Sequence, residues 1–242
     1  MAKKIQYNNN NKQEDNFKRI RIDDLATFEP LTDNQEKAFN YFSDSNLLLH
    51  GVAGTGKTFL AIYKALELVL DPSIPYKKLV IVRSTVPTRD IGFLKGDDKD
   101  KISVYEAPYI AICEELFGIS TAYESLKAQG SIEFISTSFV RGITINDSVV
   151  LVDECENLNF HELDSIMTRP GDNTKIIYSG DYRQSDFKLN HEKNGILNFM
   201  KILKAMTLFK FVEFEVDDIV RSDLVREYII TKMQIEEEKN GV

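Results

Sequence analysis

The sequence predicts an α/β domain, with a mostly parallel sheet flanked by helices. Three observations predict it. Six short apolar runs, at 47–50, 79–83, 132–136, 148–152, 175–179 and 211–215, alternate with segments of helical spacing. A glycine-rich turn, Gly51-Val52-Ala53-Gly54-Thr55-Gly56-Lys57-Thr58, joins the first run to a helical stretch and fits G-x-x-x-x-G-K-[ST]. The fourth run, Ser148 to Val152, ends on two adjacent carboxylates, Asp153 and Glu154. In such sheets ligands gather at the carboxyl ends of the strands. Both motifs fall at such ends.

Each element has its own signal. Thr32-Asp33-Asn34-Gln35 opens a helix that runs to about Phe42, and Thr32-x-x-Gln35 reads as a capping box. Leu47-Leu48-Leu49 is a buried strand. Phe59, Leu60, Ile62, Tyr63, Leu66, Val69 and Leu70 then recur at helical spacing over 57–70. Further helices are expected near 103–117, 121–128, 161–167, 195–204 and 222–237.

Composition bounds the class. The chain has 242 residues, 43% hydrophobic and 28% charged, as in an ordinary globular protein with one good-sized core. No apolar run approaches a membrane span, and no apolar leader follows Met1, so a cytoplasmic protein without membrane contact is expected. Two cysteines, Cys113 and Cys155, read as free thiols. Net charge is −8, but residues 1–21 carry +4 and the remainder −12. Residues 1–25 therefore read as a flexible, basic, asparagine-rich extension, and 26–242 as the folded domain.

The turn carries the chemistry. Glycines let the backbone wrap an anion, and N–H groups at the helix start face phosphate oxygens. Lys57 reaches the β/γ-phosphates, and Thr58 offers a hydroxyl to Mg²⁺. Asp153 is the second metal-side acid, and Glu154 is placed to orient and deprotonate an attacking water. That adjacent glutamate turns the reading from binding towards hydrolysis.

Other candidates keep two readings. Gln184 follows the strand at 175–179 and can sense the γ-phosphate or simply belong to a polar turn. Gln35 can cap its helix or recognise adenine through its amide. Arg221 can pair with Asp217, Asp218 or Asp223, or act as an arginine finger. Arg83, Thr85 and Arg89, on the long segment after the second strand, and Arg141 are candidates for nucleic-acid phosphates.

The ordered set resembles one family. Gly51–Thr58, Val82-Arg83, Ile91-Gly92-Phe93-Leu94-Lys95-Gly96, Arg141-Gly142, Val150–Asn157, Ser179-Gly180-Asp181, Gln184 and Val220-Arg221 follow the order of PhoH-like P-loop ATPases, over roughly residues 30–230. The stretch VRSTVPTRDIGFLKG is most similar to phage-encoded members, for which the host cytoplasm is the expected location. The resemblance implies one RecA-like P-loop domain that binds ATP and Mg²⁺. It implies adenine recognition at Gln35, a γ-phosphate sensor at Gln184 and a candidate finger at Arg221. It also implies single-stranded RNA, or DNA, as partner and a ring-shaped homo-oligomer, a hexamer by expectation. Two positions depart from the family pattern. Glu156 stands where an amide is usual, and Ile143 replaces an arginine. Too little chain lies outside the core for a fused nuclease-type domain, so RNA cleavage by such a domain is not expected. A nucleotide-dependent regulatory protein with little turnover and a small-molecule phosphotransferase are the alternative readings.

Overall fold

The computed structural model describes residues 19–85, 98–181 and 190–240. Its elements are α1 (Asp33–Phe42), β1 (Asn46–Gly51), α2 (Lys57–Leu70), β2 (Lys78–Arg83), α3 (Asp98–Phe117), α4 (Ala122–Ala128), β3 (Ile132–Ser136), β4 (Ser148–Val152), α5 (Phe160–Met167), β5 (Thr174–Gly180), α6 (Asn190–Ala205), β6 (Phe209–Phe214) and α7 (Asp223–Asn240). All six expected strands form. The seven expected helices form too, with α3 and α6 beginning five residues earlier than apolar spacing indicated. Polar first turns give no apolar signal, so their starts were not readable.

The sheet order is β3-β2-β4-β5-β1-β6, and every pairing is parallel. Parallel strands put all carboxyl ends on one edge. The glycine-rich turn after β1 and the acidic pair after β4 therefore share that edge, with the tip of β5 between them. This is a single α/β domain built on a six-stranded parallel sheet.

Both sheet faces are buried, so the strands read as continuous apolar runs. Alternate residues feed two cores. Leu47, Leu49, Ile81, Leu151 and Ile177 pack with α1–α4, while Leu48, Val80, Val150, Ile176 and Tyr178 pack with α5 and α6. Fully burying each such side chain is worth about 1.5–3 kcal/mol.

Part of the expected extension belongs to this body. Ile20 is only 2% exposed, and its N–H donates to Gln129 Oε1 at 3.0 Å. Just past the extension, the Ala26 N–H donates to Leu116 O. An isoleucine between two arginines gave no periodic pattern by which to place it. Residues 1–18 lie outside the described residues.

Gly51 shows why the turn needs glycine. Its φ is +123°, and a Cβ there would stand 2.0 Å from Phe214 O on β6. Gly51→Ala is expected to lower stability by about 2–4 kcal/mol, read as a drop in the urea midpoint. An unchanged midpoint would contradict the close approach of β1 and β6.

Candidate nucleotide site

The turn between β1 and α2 is held from inside. Thr55 is fully buried, and its hydroxyl donates to Val52 O at 3.0 Å. Val52 is 1% exposed. These two residues thus serve the loop as internal packing and can meet a ligand through the main chain. Gly54 and Gly56 lie at φ +78° and +81°, in the left-handed region. Ala53, Gly54 and Gly56 are partly exposed around them.

Lys57 opens α2 and is buried. Its Nζ donates to Gly51 O and Val52 O, both at 2.8 Å. Burial lowers its pKa, opposed by the charges of Asp181, Glu156 and Asp153. An ammonium curled inside its own loop, among carbonyls and acids, can exchange those carbonyls for phosphate oxygens.

Thr58 joins the two motifs. Its hydroxyl donates to Asp153 Oδ1 at 2.8 Å, although 95 residues separate them. Asp153 is 4% exposed and also accepts from the Tyr109 hydroxyl, Oδ2 to oxygen 3.0 Å. Burial, then the Asp153 charge, pushes the Tyr109 pKa up, which keeps this hydroxyl a donor. A hydroxyl and a carboxylate at this spacing fit Mg²⁺, which takes few protein oxygens and completes its shell with phosphate and water. No group of three or more His, Cys, Asp or Glu side chains suited to a metal occurs among the described residues.

Glu154 follows directly and adopts φ +49°, ψ +45°, a left-handed conformation uncommon outside glycine. Its Oε2 meets Arg83 Nη2 at 2.5 Å. The sequence reading places Arg83 towards nucleic-acid phosphates; in the fold its guanidinium turns into the site and pairs with Glu154. Register explains it. Val82 on β2 pairs with Val152 on β4, so Arg83 and Asp153 leave the sheet side by side. The guanidinium also lies 6.0 Å from the ring centroids of Tyr105 and Tyr109.

Gln35 is 7% exposed, and its amide is committed within the protein. Its Oε1 accepts from Leu31 N at 2.8 Å, and its Nε2 donates to Thr55 O at 3.0 Å. Thr32 does accept from Gln35 N, but the expected return bond to Thr32 is replaced by the one to Leu31. The amide thus grips the turn rather than presenting both groups to a base. The Val220 N–H grips the same loop through Gly54 O at 3.1 Å. Arg221 is exposed, with its Cγ 3.0 Å from where a Gly54 Cβ would stand. Two of the acids proposed as its partners are engaged elsewhere. Asp217 pairs with Arg226, and Asp218 accepts from Asn34 and Glu215 N. Thr85 Oγ1 bonds Ser136 Oγ at 2.7 Å, and Arg141 is exposed beyond β3. Gln184 and Arg89 lie outside the described residues.

Glu156 sits against the tip of β5. A Cβ on Gly180 would stand 2.1 Å from its Oε2. Burial, reinforced by the charges of Glu154 and Asp153, raises its pKa to about 8. Between 4.5 and about 8 the folded protein therefore binds a proton that the unfolded chain has released. Stability from this group is complete below that window and is lost as pH rises through it. Glu156→Gln is expected to match the parent's melting temperature near pH ~4 and to exceed it near pH ~9. Parallel melting curves across pH would contradict this burial.

A family model described as PhoH-like protein matches residues 27–233. The chain belongs to the PhoH-like family. A PhoH-like protein of Bacillus subtilis is 33% identical over 180 residues, covering 74% of this chain and 55% of that protein. Protein PhoH2 of the same organism is 36% identical over 165 residues, covering 66% and 37%. The chain thus spans about half the length of the curated relatives it matches. Among solved structures, the large terminase of a thermophilic bacteriophage has a TM-score of 0.47 at 13% identity, covering 83% of this chain and 50% of its own. The Pyrococcus furiosus Hef helicase domain has a TM-score of 0.46 at 13% identity, covering 76% and 39%.

Sequence patterns missed Tyr109 in this site. It lies mid-helix after Pro108, reads as a core aromatic and belongs to no motif. Only its approach to Asp153 reveals it.

Proposed function

We propose that this PhoH-like domain binds ATP with Mg²⁺ and hydrolyses it, in a cycle coupled to single-stranded nucleic acid, RNA above DNA. The contact between Thr58 and Asp153 carries the reading, because it draws a phosphate-binding turn and an acidic strand tip into one site beside Glu154. Thr58 and Asp153 would hold Mg²⁺, which neutralises charge on the phosphate oxygens. Lys57 binds the β/γ-phosphates. Glu154 takes a proton from water as the water oxygen bonds to the γ-phosphorus and the β–γ bridging bond breaks, leaving ADP and phosphate. Gln184 senses the γ-phosphate. Arg221, exposed beside Gly54, adds positive charge to the transferring group. Gln35 acts by holding the turn through Thr55. Arg141, and Arg89 on the segment after β2, supply phosphate contacts to the strand.

A homo-oligomeric ring, in which a neighbouring copy adds a second wall to the site beside the exposed Arg221, is part of this reading. The test is phosphate release from ATP and Mg²⁺, with and without single-stranded RNA or DNA, at protein concentrations spanning monomer and oligomer. Stimulation by RNA supports the coupled reading. Turnover indifferent to either strand would leave an uncoupled ATPase. Binding without turnover would favour a nucleotide-dependent regulatory protein.

A further inference from the structure

We propose that Arg83 is a positioning residue that restrains Glu154, and that a phosphate group arriving at the end of β2 releases it. The inference rests on the hydrolysis reading above and adds a control point to the same site.

Four observations point there. Arg83 Nη2 meets Glu154 Oε2 at 2.5 Å, which engages a carboxylate oxygen needed to accept a proton from water. The glutamate backbone is left-handed at φ +49°, an unfavourable conformation for this residue that needs support. The local bonds that hold it are Asn157 N to Glu154 O at 3.0 Å, a long bond from Asn157 Nδ2 to Glu154 Oε2 at 3.5 Å, and the Arg83 pair itself. Third, the guanidinium is not saturated, since its Nε is buried without a hydrogen-bond partner among the described residues. Fourth, the two partners differ in freedom. The Arg83 side chain is 14% exposed and flanked by Tyr105 and Tyr109, whereas the Glu154 side chain is 43% exposed. Glu154 can therefore swing from the pair towards water without leaving a buried, unpaired carboxylate.

The releasing ligand follows from donor geometry. A guanidinium offers a planar fork that matches phosphate oxygens as well as carboxylate oxygens. Arg83 ends β2, and Thr85, two residues on, bonds Ser136 at the end of β3 on the same carboxyl edge. A phosphate that engages the fork competes directly with Glu154. Hydrolysis is then held low until the strand is present.

The test compares Arg83→Met with the parent and with Glu154→Gln. Phosphate release is measured at saturating ATP, alone, with oligouridylate, and with inorganic polyphosphate. Fluorescent ADP binding reports an intact turn. Arg83→Met is expected to raise basal kcat about tenfold, leave KM for ATP unchanged and abolish stimulation by oligouridylate. Stimulation of the parent by oligouridylate alone assigns the phosphate to a nucleic-acid strand. Stimulation by both anions assigns it to phosphate charge in general. Basal turnover at or below the parent's, with ADP binding retained, would overturn the restraint. Lack of stimulation of the parent by either anion would overturn the release. Parent turnover equal to that of Glu154→Gln would instead defeat the hydrolysis reading itself. If Arg83→Met does not fold, Arg83→Lys keeps the charge but loses the fork, and about a threefold rise is expected. No rise in that variant is equally fatal.

Discussion

Glu154→Gln is expected to bind ATP as the parent does and to release phosphate about 10³-fold more slowly. The substitution keeps size and hydrogen-bonding reach but removes the group that accepts a proton. Binding survives because the phosphate contacts belong to Lys57 and the turn, not to this side chain. Stability should change little, since the Glu154 side chain is 43% exposed and a glutamine Oε1 can still accept from Arg83. The measurement is single-turnover phosphate release beside fluorescent-nucleotide titration. Normal release would remove Glu154 from the chemistry and shift the function towards binding alone. Weakened binding with normal release would mean the carboxylate supports the turn instead.

Lys57→Met should produce the opposite split. Nucleotide affinity is expected to fall about 10²–10³-fold, from loss of charge-assisted bonds worth about 1.5–3 kcal/mol each. Fold stability is expected to hold, because the ammonium is already penalised by burial and its pKa is lowered. Removing it relieves that cost and sacrifices only its bonds to Gly51 O and Val52 O. Calorimetric titration with ATP and a thermal melt read the two effects separately. Unchanged affinity would show that Lys57 remains a lock of the loop and never reaches phosphate. A collapsed melt would make it structural.

Local order was legible along the chain. Leucine, valine and isoleucine runs in 47–50, 79–83 and 148–152 announced strands because both faces of a parallel sheet are apolar. The spacing from Phe59 to Leu70 announced α2. The turn at 51–58 marked the candidate phosphate site because glycine, lysine and threonine at those offsets have few other uses. The resemblance to PhoH-like proteins was legible in motif order, and the family match over 27–233 agrees with it. Packing of Ile20 was not legible, since one isoleucine between charges has no period.

The sequence by itself determined the α/β class, the succession of strands and helices, and the candidate residues for phosphate, metal and water. These depend on neighbours a few positions apart, where spacing is set by backbone geometry. Only the tertiary structure decided how the candidates are used. It turned Arg83 inward to Glu154, set Tyr109 on Asp153 and tied the Gln35 amide to Thr55 O. Each pair joins residues far apart in the chain, and their meeting follows from strand order and register. Ionic and hydrogen-bonding side chains take whichever partner the sheet edge brings within reach, and no local pattern encodes that choice.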